Sequence, residues 1–117
     1  MNALVRDPIM WTDVGAVTDV PVRGARRVPT PRGDVAIFRT GDGRLFALRD
    51  QCPHKGGPLS QGLVHGHSVA CPLHNWNIAL ATGRAQGDDK GCTPTIPVKI
   101  VAGRVHIARA ATLAAAA

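Results

Sequence analysis

Two short segments of the chain each place a cysteine close to a histidine and a proline. The first is CPHKGGPLSQG at 52–62, and the second is ACPLHNW at 70–76. Thiolate and imidazole groups are common ligands of zinc and iron in proteins. The spacing is C-x-H, then sixteen residues, then C-x-x-H, which gives four candidate metal ligands: Cys52, His54, Cys71 and His74. The pattern predicts that two loops hold one metal centre.

Two kinds of centre could use these four ligands. A structural zinc ion takes two thiolates and two imidazoles in a tetrahedron. A [2Fe–2S] cluster can take two thiolates on one iron and two imidazoles on the other. Each loop here mixes the two residue types, whereas zinc fingers usually pair like with like. The glycines at 56 and 57 would let backbone N–H groups approach sulfides, and Pro58 would stiffen the loop. The pattern favours the cluster over zinc.

The rest of the chain is typical of an all-β protein, because short runs of β-forming residues alternate with turns. We expect a hairpin at 34–49, two short strands around Gly66, and a second hairpin over 95–109 that turns at Ala102 and Gly103. Both candidate ligand pairs follow strands, so a rigid sheet would aim the two loops, at about 50–60 and 70–80. We predict one domain over 1–117, an antiparallel sandwich or barrel, with a flexible tail at 110–117.

Composition limits the function classes. The chain has 14 Lys and Arg residues against 8 acids, a net charge of +6, which suits an acidic partner. Aromatic residues are too few for base stacking, and no apolar run reaches the ~20 residues of a membrane span. Three cysteines are too few for a disulfide scaffold. We therefore expect a soluble, cytoplasmic protein that binds neither nucleic acid nor membrane, with the basic run at 22–32 a solvated loop.

Other side chains near the ligand pattern have simpler interpretations. His65, His67 and His106 have no cysteine close by, which predicts surface or packing roles. Cys92 is expected to be a packed thiol in a proline-containing loop. Trp76 is expected to pack in the core, with shielding of the metal centre as the alternative role.

The two loops together resemble the Rieske [2Fe–2S] signature. With CTPTIPVKI at 92–100, the chain is also similar to the small subunit of assimilatory NAD(P)H-dependent nitrite reductases. This resemblance implies a Rieske-type antiparallel fold with a small cluster-binding subdomain. It also implies one [2Fe–2S] cluster per chain, held by Cys52, His54, Cys71 and His74, with Gly56, Gly57, Pro58 and Trp76 around it.

The resemblance also implies a function and a partner. Electrons would pass to nitrite, which becomes ammonium, through a large subunit carrying flavin, a [4Fe–4S] cluster and sirohaem. No catalytic residue for nitrite is expected in this chain. Two alternatives stay open: a Rieske ferredoxin that serves an aromatic-ring dioxygenase, and a zinc-stabilised binding module.

Respiratory Rieske proteins offer a further comparison. A serine and a tyrosine after their second motif donate hydroxyl hydrogen bonds to cluster and cysteine sulfurs. The matching positions here are Trp76 and Ile78, which have no hydroxyl group. The resemblance therefore implies a low reduction potential within the Rieske range.

Overall fold

The computed structural model describes residues 10–52, 57–72, 76–86 and 91–109. These residues form ten antiparallel strands and two 3-10 helices, so the predicted all-β class is confirmed. No helix in this part of the chain is long and apolar enough to cross a membrane. The strands are β1 (Trp11–Ala16), β2 (Gly24–Val28), β3 (Val35–Arg39), β4 (Leu45–Arg49), β5 (Leu63–His65), β6 (Ser68–Ala70), β7 (Asn77–Ala79), β8 (Thr95–Ile96), β9 (Val98–Val101) and β10 (Arg104–Ala108); the helices are Val17–Asp19 and Leu59–Gln61.

The described strands form three sheets, with β3 inside the middle one. The first sheet has the order β1-β10-β9, the middle sheet β2-β3-β4-β8, and the third sheet β5-β6-β7. Val35 and Ile37 join a core cluster with residues of β10, while Ala36 and Phe38 join a second cluster with residues of β5, β6 and β7. Strand β3 is thus buried on both faces, which explains its continuous apolar sequence.

Several predicted strands are present, and one segment was interpreted wrongly. The hairpins β3–β4, β5–β6 and β9–β10 are confirmed. The basic run at 22–32 is not simply a solvated loop, because it contains β2, which pairs with β3 along the edge of the middle sheet. An edge strand can keep charged side chains in solvent, so it lacks the alternation that marks a half-buried strand.

The predicted strand that begins at residue 95 is broken at Pro97. Residues before the proline form β8 and pair with β4, and residues after it form β9 and pair with β10. Proline has no N–H to donate to a sheet, so a strand commonly ends at this residue. The chain therefore moves here from the middle sheet to the first.

The third sheet lies in an excursion of the chain between two neighbouring strands. Strand β4 pairs with β8, with Leu48 opposite Thr95. Just beyond this pair, the Arg49 N–H donates to the Pro94 carbonyl at 3.1 Å, and the Thr93 hydroxyl donates to the Arg49 carbonyl at 3.4 Å. The segment that carries both cysteine loops therefore begins and ends at one place.

The turn between β9 and β10 gives a test of the backbone. Ala102 has φ +50° and Gly103 has φ +76°, a geometry typical of a two-residue hairpin turn. Alanine is strained there, so we expect Ala102→Gly to raise the free energy of unfolding by about 0.5–1 kcal/mol, measured by thermal or urea denaturation. Gly103→Ala is the control; its methyl group would meet no atom within 4 Å. Gly103→Ala should lower the free energy of unfolding through backbone strain alone. Equal stability of the wild type and both variants would contradict the positive φ angles at Ala102 and Gly103.

Candidate metal centre

Two of the four predicted ligands lie in the structure's described part, and both are buried. Cys52 follows β4 and is 3% exposed, and Cys71 directly follows β6 and is 2% exposed. Both belong to the core cluster between the middle and third sheets. The structure describes all three cysteines, and none forms a disulfide bond. The fold therefore brings the two candidate thiolate ligands into one core from separate sheets.

The two cysteines begin loops that are closed in the same way. The Cys52 N–H donates to the Gly57 carbonyl at 2.8 Å, and the Cys71 N–H donates to the Trp76 carbonyl at 2.7 Å. Each bond joins residues five positions apart, so each loop has a hydrogen-bonded neck with a cysteine on one side. His54 and His74 each fall between the two ends of a neck in the sequence, and both lie outside the described residues.

The predicted neighbours of the centre support these necks. Gly57 is buried, and Pro58 precedes the 3-10 helix Leu59–Gln61. The side chain of Leu59 is fully buried in the core cluster that contains both cysteines. Trp76 is partly buried and packs against that cluster, as predicted for a core residue. Gly56 lies outside the described residues.

The two described cysteines match half of the ligand set that a [2Fe–2S] cluster needs. Two buried thiols on matching loops fit the thiolate half of a [2Fe–2S] site, because such ligands are shielded from water by the surrounding apolar residues. Within the described ranges, no three His, Cys or Asp side chains are grouped as metal ligands. His54 and His74 lie outside those ranges and remain the predicted imidazole ligands.

The other histidines have polar contacts instead. His65 Nε2 lies 2.8 Å from Asn77 Oδ1 on the exposed side of the third sheet. His67 Nε2 lies 3.0 Å from Asp42 Oδ2 and joins the β5–β6 turn to the β3–β4 turn. Hydrogen bonds from Thr40 and from His67 lower the pKa of Asp42 to about 2. These contacts agree with the predicted surface roles.

The packing role predicted from the sequence agrees with the structure for His106 but not for Cys92. His106 is partly buried on β10, with Nε2 3.9 Å from Asp13 Oδ2, which agrees with a packing role. The prediction for Cys92 was wrong, since its side chain is exposed. Its neighbour Thr93 is the buried residue, and the Thr93 N–H donates to the Gly83 carbonyl at 2.8 Å. The loop therefore turns the thiol outward while Thr93 faces the protein.

Sequence reasoning missed a buried carboxylate near the first loop. Asp50 lies two residues before Cys52, and its side chain is completely buried. It accepts hydrogen bonds from the backbone N–H and the hydroxyl of Ser60, at 2.7 and 2.6 Å. The only sequence signal was the position of an aspartate and a serine on either side of the first motif.

Comparison with known proteins identifies the family. The Rieske [2Fe-2S] domain profile matches residues 10–98. The ferredoxin subunit of 3-phenylpropionate/cinnamic acid dioxygenase from Photorhabdus laumondii is 36% identical over 102 residues, which cover 80% of this chain and 90% of that protein. The 4beta-methylsterol monooxygenase of Methylococcus capsulatus is 44% identical over 54 residues, and the match covers 46% of this chain but only 15% of that enzyme.

A solved structure is similar over most of its length. It is a Mycobacterium tuberculosis protein assigned as an NADH-dependent nitrite reductase small subunit, with a TM-score of 0.78 and 27% identity. The superposition covers 88% of this chain and 97% of that one. The profile match indicates a Rieske-type [2Fe–2S] cluster as the cofactor, so a zinc site loses its support. The buried cysteine pair, the matching loop necks and the profile together place this chain in the Rieske [2Fe–2S] domain family.

Proposed function

We propose that this chain is the Rieske electron-transfer subunit of an NAD(P)H-dependent nitrite reductase, which reduces nitrite to ammonium. The observation that carries the proposal is the likeness to the M. tuberculosis small subunit, which extends over 97% of that chain. The segment GCTPTIPV at 91–98, part of the resemblance to that subunit family, supports it further. Its residues close the excursion that carries the cysteine loops, through the pairing of β8 with β4.

The proposed ligands are Cys52 and Cys71 for one iron, and His54 and His74 for the other. When bound, a Rieske cluster accepts and releases a single electron. The residues of this chain bury the two thiolates and fix their backbones through the loop necks. Burial keeps water away from the sulfurs, which protects the ligands and helps to set the potential. Nitrite itself would react on a large subunit with flavin, [4Fe–4S] and sirohaem.

A second candidate is a ferredoxin that delivers electrons to an aromatic-ring dioxygenase. The observation that favours it is the 36% identity to a dioxygenase ferredoxin subunit over 90% of its length. Both candidates assign the same ligands and the same one-electron role to this chain. They differ in the partner protein, so the partner must be tested directly.

Gene deletion in the source organism separates the two candidates. For a nitrite reductase subunit, the deletion strain should grow on ammonium but fail on nitrite as the sole nitrogen source. Purification of the tagged chain from nitrite-grown cells should also recover a sirohaem-containing protein in equal amount. Normal growth on nitrite, together with loss of aromatic-ring hydroxylation, would establish the ferredoxin function instead.

The charge of the chain predicts how it binds its partner. A net charge of +6 should steer it towards an acidic surface, and salt screens such attraction. We expect the association rate with the partner to fall at least tenfold between about 0.02 and 0.5 M NaCl, measured by surface plasmon resonance. A rate that is independent of salt would show that charge does not steer the encounter.

A further inference from the structure

The buried carboxylate of Asp50 connects the two sides of the first cysteine loop. Asp50 lies just before Cys52, and Ser60 lies just after the segment that ends at the Gly57 neck. Both carboxylate oxygens are used, because one accepts from the Ser60 N–H and the other from the Ser60 hydroxyl. The loop is therefore closed twice, by the neck bond and by this outer brace.

The Asp50–Ser60 brace is also connected to the core cluster that contains both cysteines. Ser60 follows Leu59, whose buried side chain shares a core cluster with Cys52 and Cys71. Gly62 directly precedes β5, and a methyl group there would collide with the carbonyl oxygen of Ala70, the residue before Cys71. Fixing Ser60 thus fixes a short segment that contacts the surroundings of both cysteines.

The brace carries a net negative charge. Arg27 Nε lies 3.5 Å from the Asp50 carboxylate, but it also donates to Asp34 at 2.7 Å. One guanidinium is therefore shared by two carboxylates. The Arg27 side chain is 52% exposed, whereas the side chain of Asp50 is fully buried. Solvent and salt screen a buried charge poorly, so its field acts on neighbouring groups.

We propose that Asp50 is a positioning residue for the Cys52 loop and that its charge lowers the reduction potential of the centre. The inference rests on the proposed role of Cys52 as an iron ligand. Hydrogen bonds to a carboxylate are stronger than neutral ones, so the brace resists opening of the loop. Reduction adds negative charge, which a buried carboxylate nearby disfavours.

Two substitutions separate the two parts of the proposal. Ser60→Ala removes the hydroxyl hydrogen bond and keeps the charge. We expect the cluster to be lost to a chelator about tenfold faster, with little change in the midpoint potential. Asp50→Asn removes the charge and keeps an isosteric group that can hydrogen-bond Ser60. We expect it to retain the cluster and to have a more positive midpoint potential.

Matched controls are available in the same fold. Ser68→Ala removes a buried hydroxyl group on β6 that donates to the Gln86 side chain, and this variant should lose its cluster at the wild-type rate. Asp34→Asn removes a carboxylate that contacts the same arginine but is 30% exposed, and should shift the potential less than Asp50→Asn. Arg27→Gln should shift the potential in the negative direction, and it tests the charge effect if Asp50→Asn does not fold.

Visible absorption, redox titration and the rate of iron release measure these outcomes without any partner protein. An unchanged potential in Asp50→Asn and in Arg27→Gln would overturn the charge effect. Cluster loss at the wild-type rate in Ser60→Ala would overturn the positioning role. A wild-type chain that binds no iron would instead overturn the proposed function, so the two failures are distinguishable.

Discussion

Serine in place of Cys52 or Cys71 is expected to leave the chain without its iron–sulfur cluster. Each cysteine is the single candidate thiolate of its loop, and a hydroxyl group is a poor substitute for a thiolate at iron. Wild-type protein should contain two irons and two acid-labile sulfides per chain, and each variant close to none. Chemical analysis of iron and sulfide, with the visible spectrum, measures the loss.

The third cysteine is the matched control for this experiment. Cys92 is exposed and lies outside both loops, so Cys92→Ser should retain the full iron content. Alanine at His54 or His74 should also abolish the Rieske spectrum, since the same proposal makes them the ligands of the second iron. Iron retained in Cys52→Ser, or lost in Cys92→Ser, would contradict the assigned ligands.

The midpoint potential is expected at the low end of the Rieske range, roughly −150 mV. Ile78 is fully buried in the core cluster with Cys71, and Trp76 packs against that cluster. Neither side chain has a hydroxyl group to donate to a sulfur. Such hydrogen bonds stabilise the more negative reduced state, so their absence lowers the potential. A potential near −150 mV suits a carrier that receives electrons from nicotinamide through flavin.

Substitution of Trp76, whose carbonyl closes the second neck, tests whether the missing hydroxyl group lowers the potential. Trp76→Ser should raise the potential if the new hydroxyl reaches a sulfur, by roughly 60 mV for one hydrogen bond of about 1.5 kcal/mol. Asn77→Ser is the control, since Asn77 is exposed and bonds His65 on the outer side of β7. It should leave the potential unchanged. A positive wild-type midpoint in redox titration would refute the low-potential prediction.

The parts of the fold that the sequence predicted are those with local signals. The β3–β4 and β9–β10 hairpins have β-forming runs separated by glycine turns, so their register is set within a few residues. Strand β2 was missed because two arginines stand at its centre and only its pairing with β3 makes it a strand. Its identity depends on tertiary context, which a local pattern does not contain.

The candidate site also combines features that the local sequence predicted with contacts that depend on the assembled fold. The cysteine spacing predicted two loops at strand ends, and the structure places both cysteines there in one core. The Asp50–Ser60 brace could not be predicted, because its partners are ten residues apart and no motif links them. The exposure of Cys92 was also hidden, since it depends on the packing of Thr93 against the turn at Gly83. Such contacts are fixed by the assembled fold.

The hydrogen bond between Arg49 and Pro94 indicates that the cysteine-loop segment can be regarded as an insertion into a hairpin. A chain that leaves β4 and returns beside it at β8 has the topology of a hairpin whose turn was enlarged to contain both cysteine loops. An insertion at a turn leaves the two flanking strands paired, so the segment 50–94 is compatible with an otherwise unchanged β4–β8 pair. Residues 50–94 are accordingly the natural unit for transplantation into another antiparallel hairpin. The acceptor hairpin would also need apolar side chains like Phe38 and Leu48, which share the core cluster with Cys52 and Cys71.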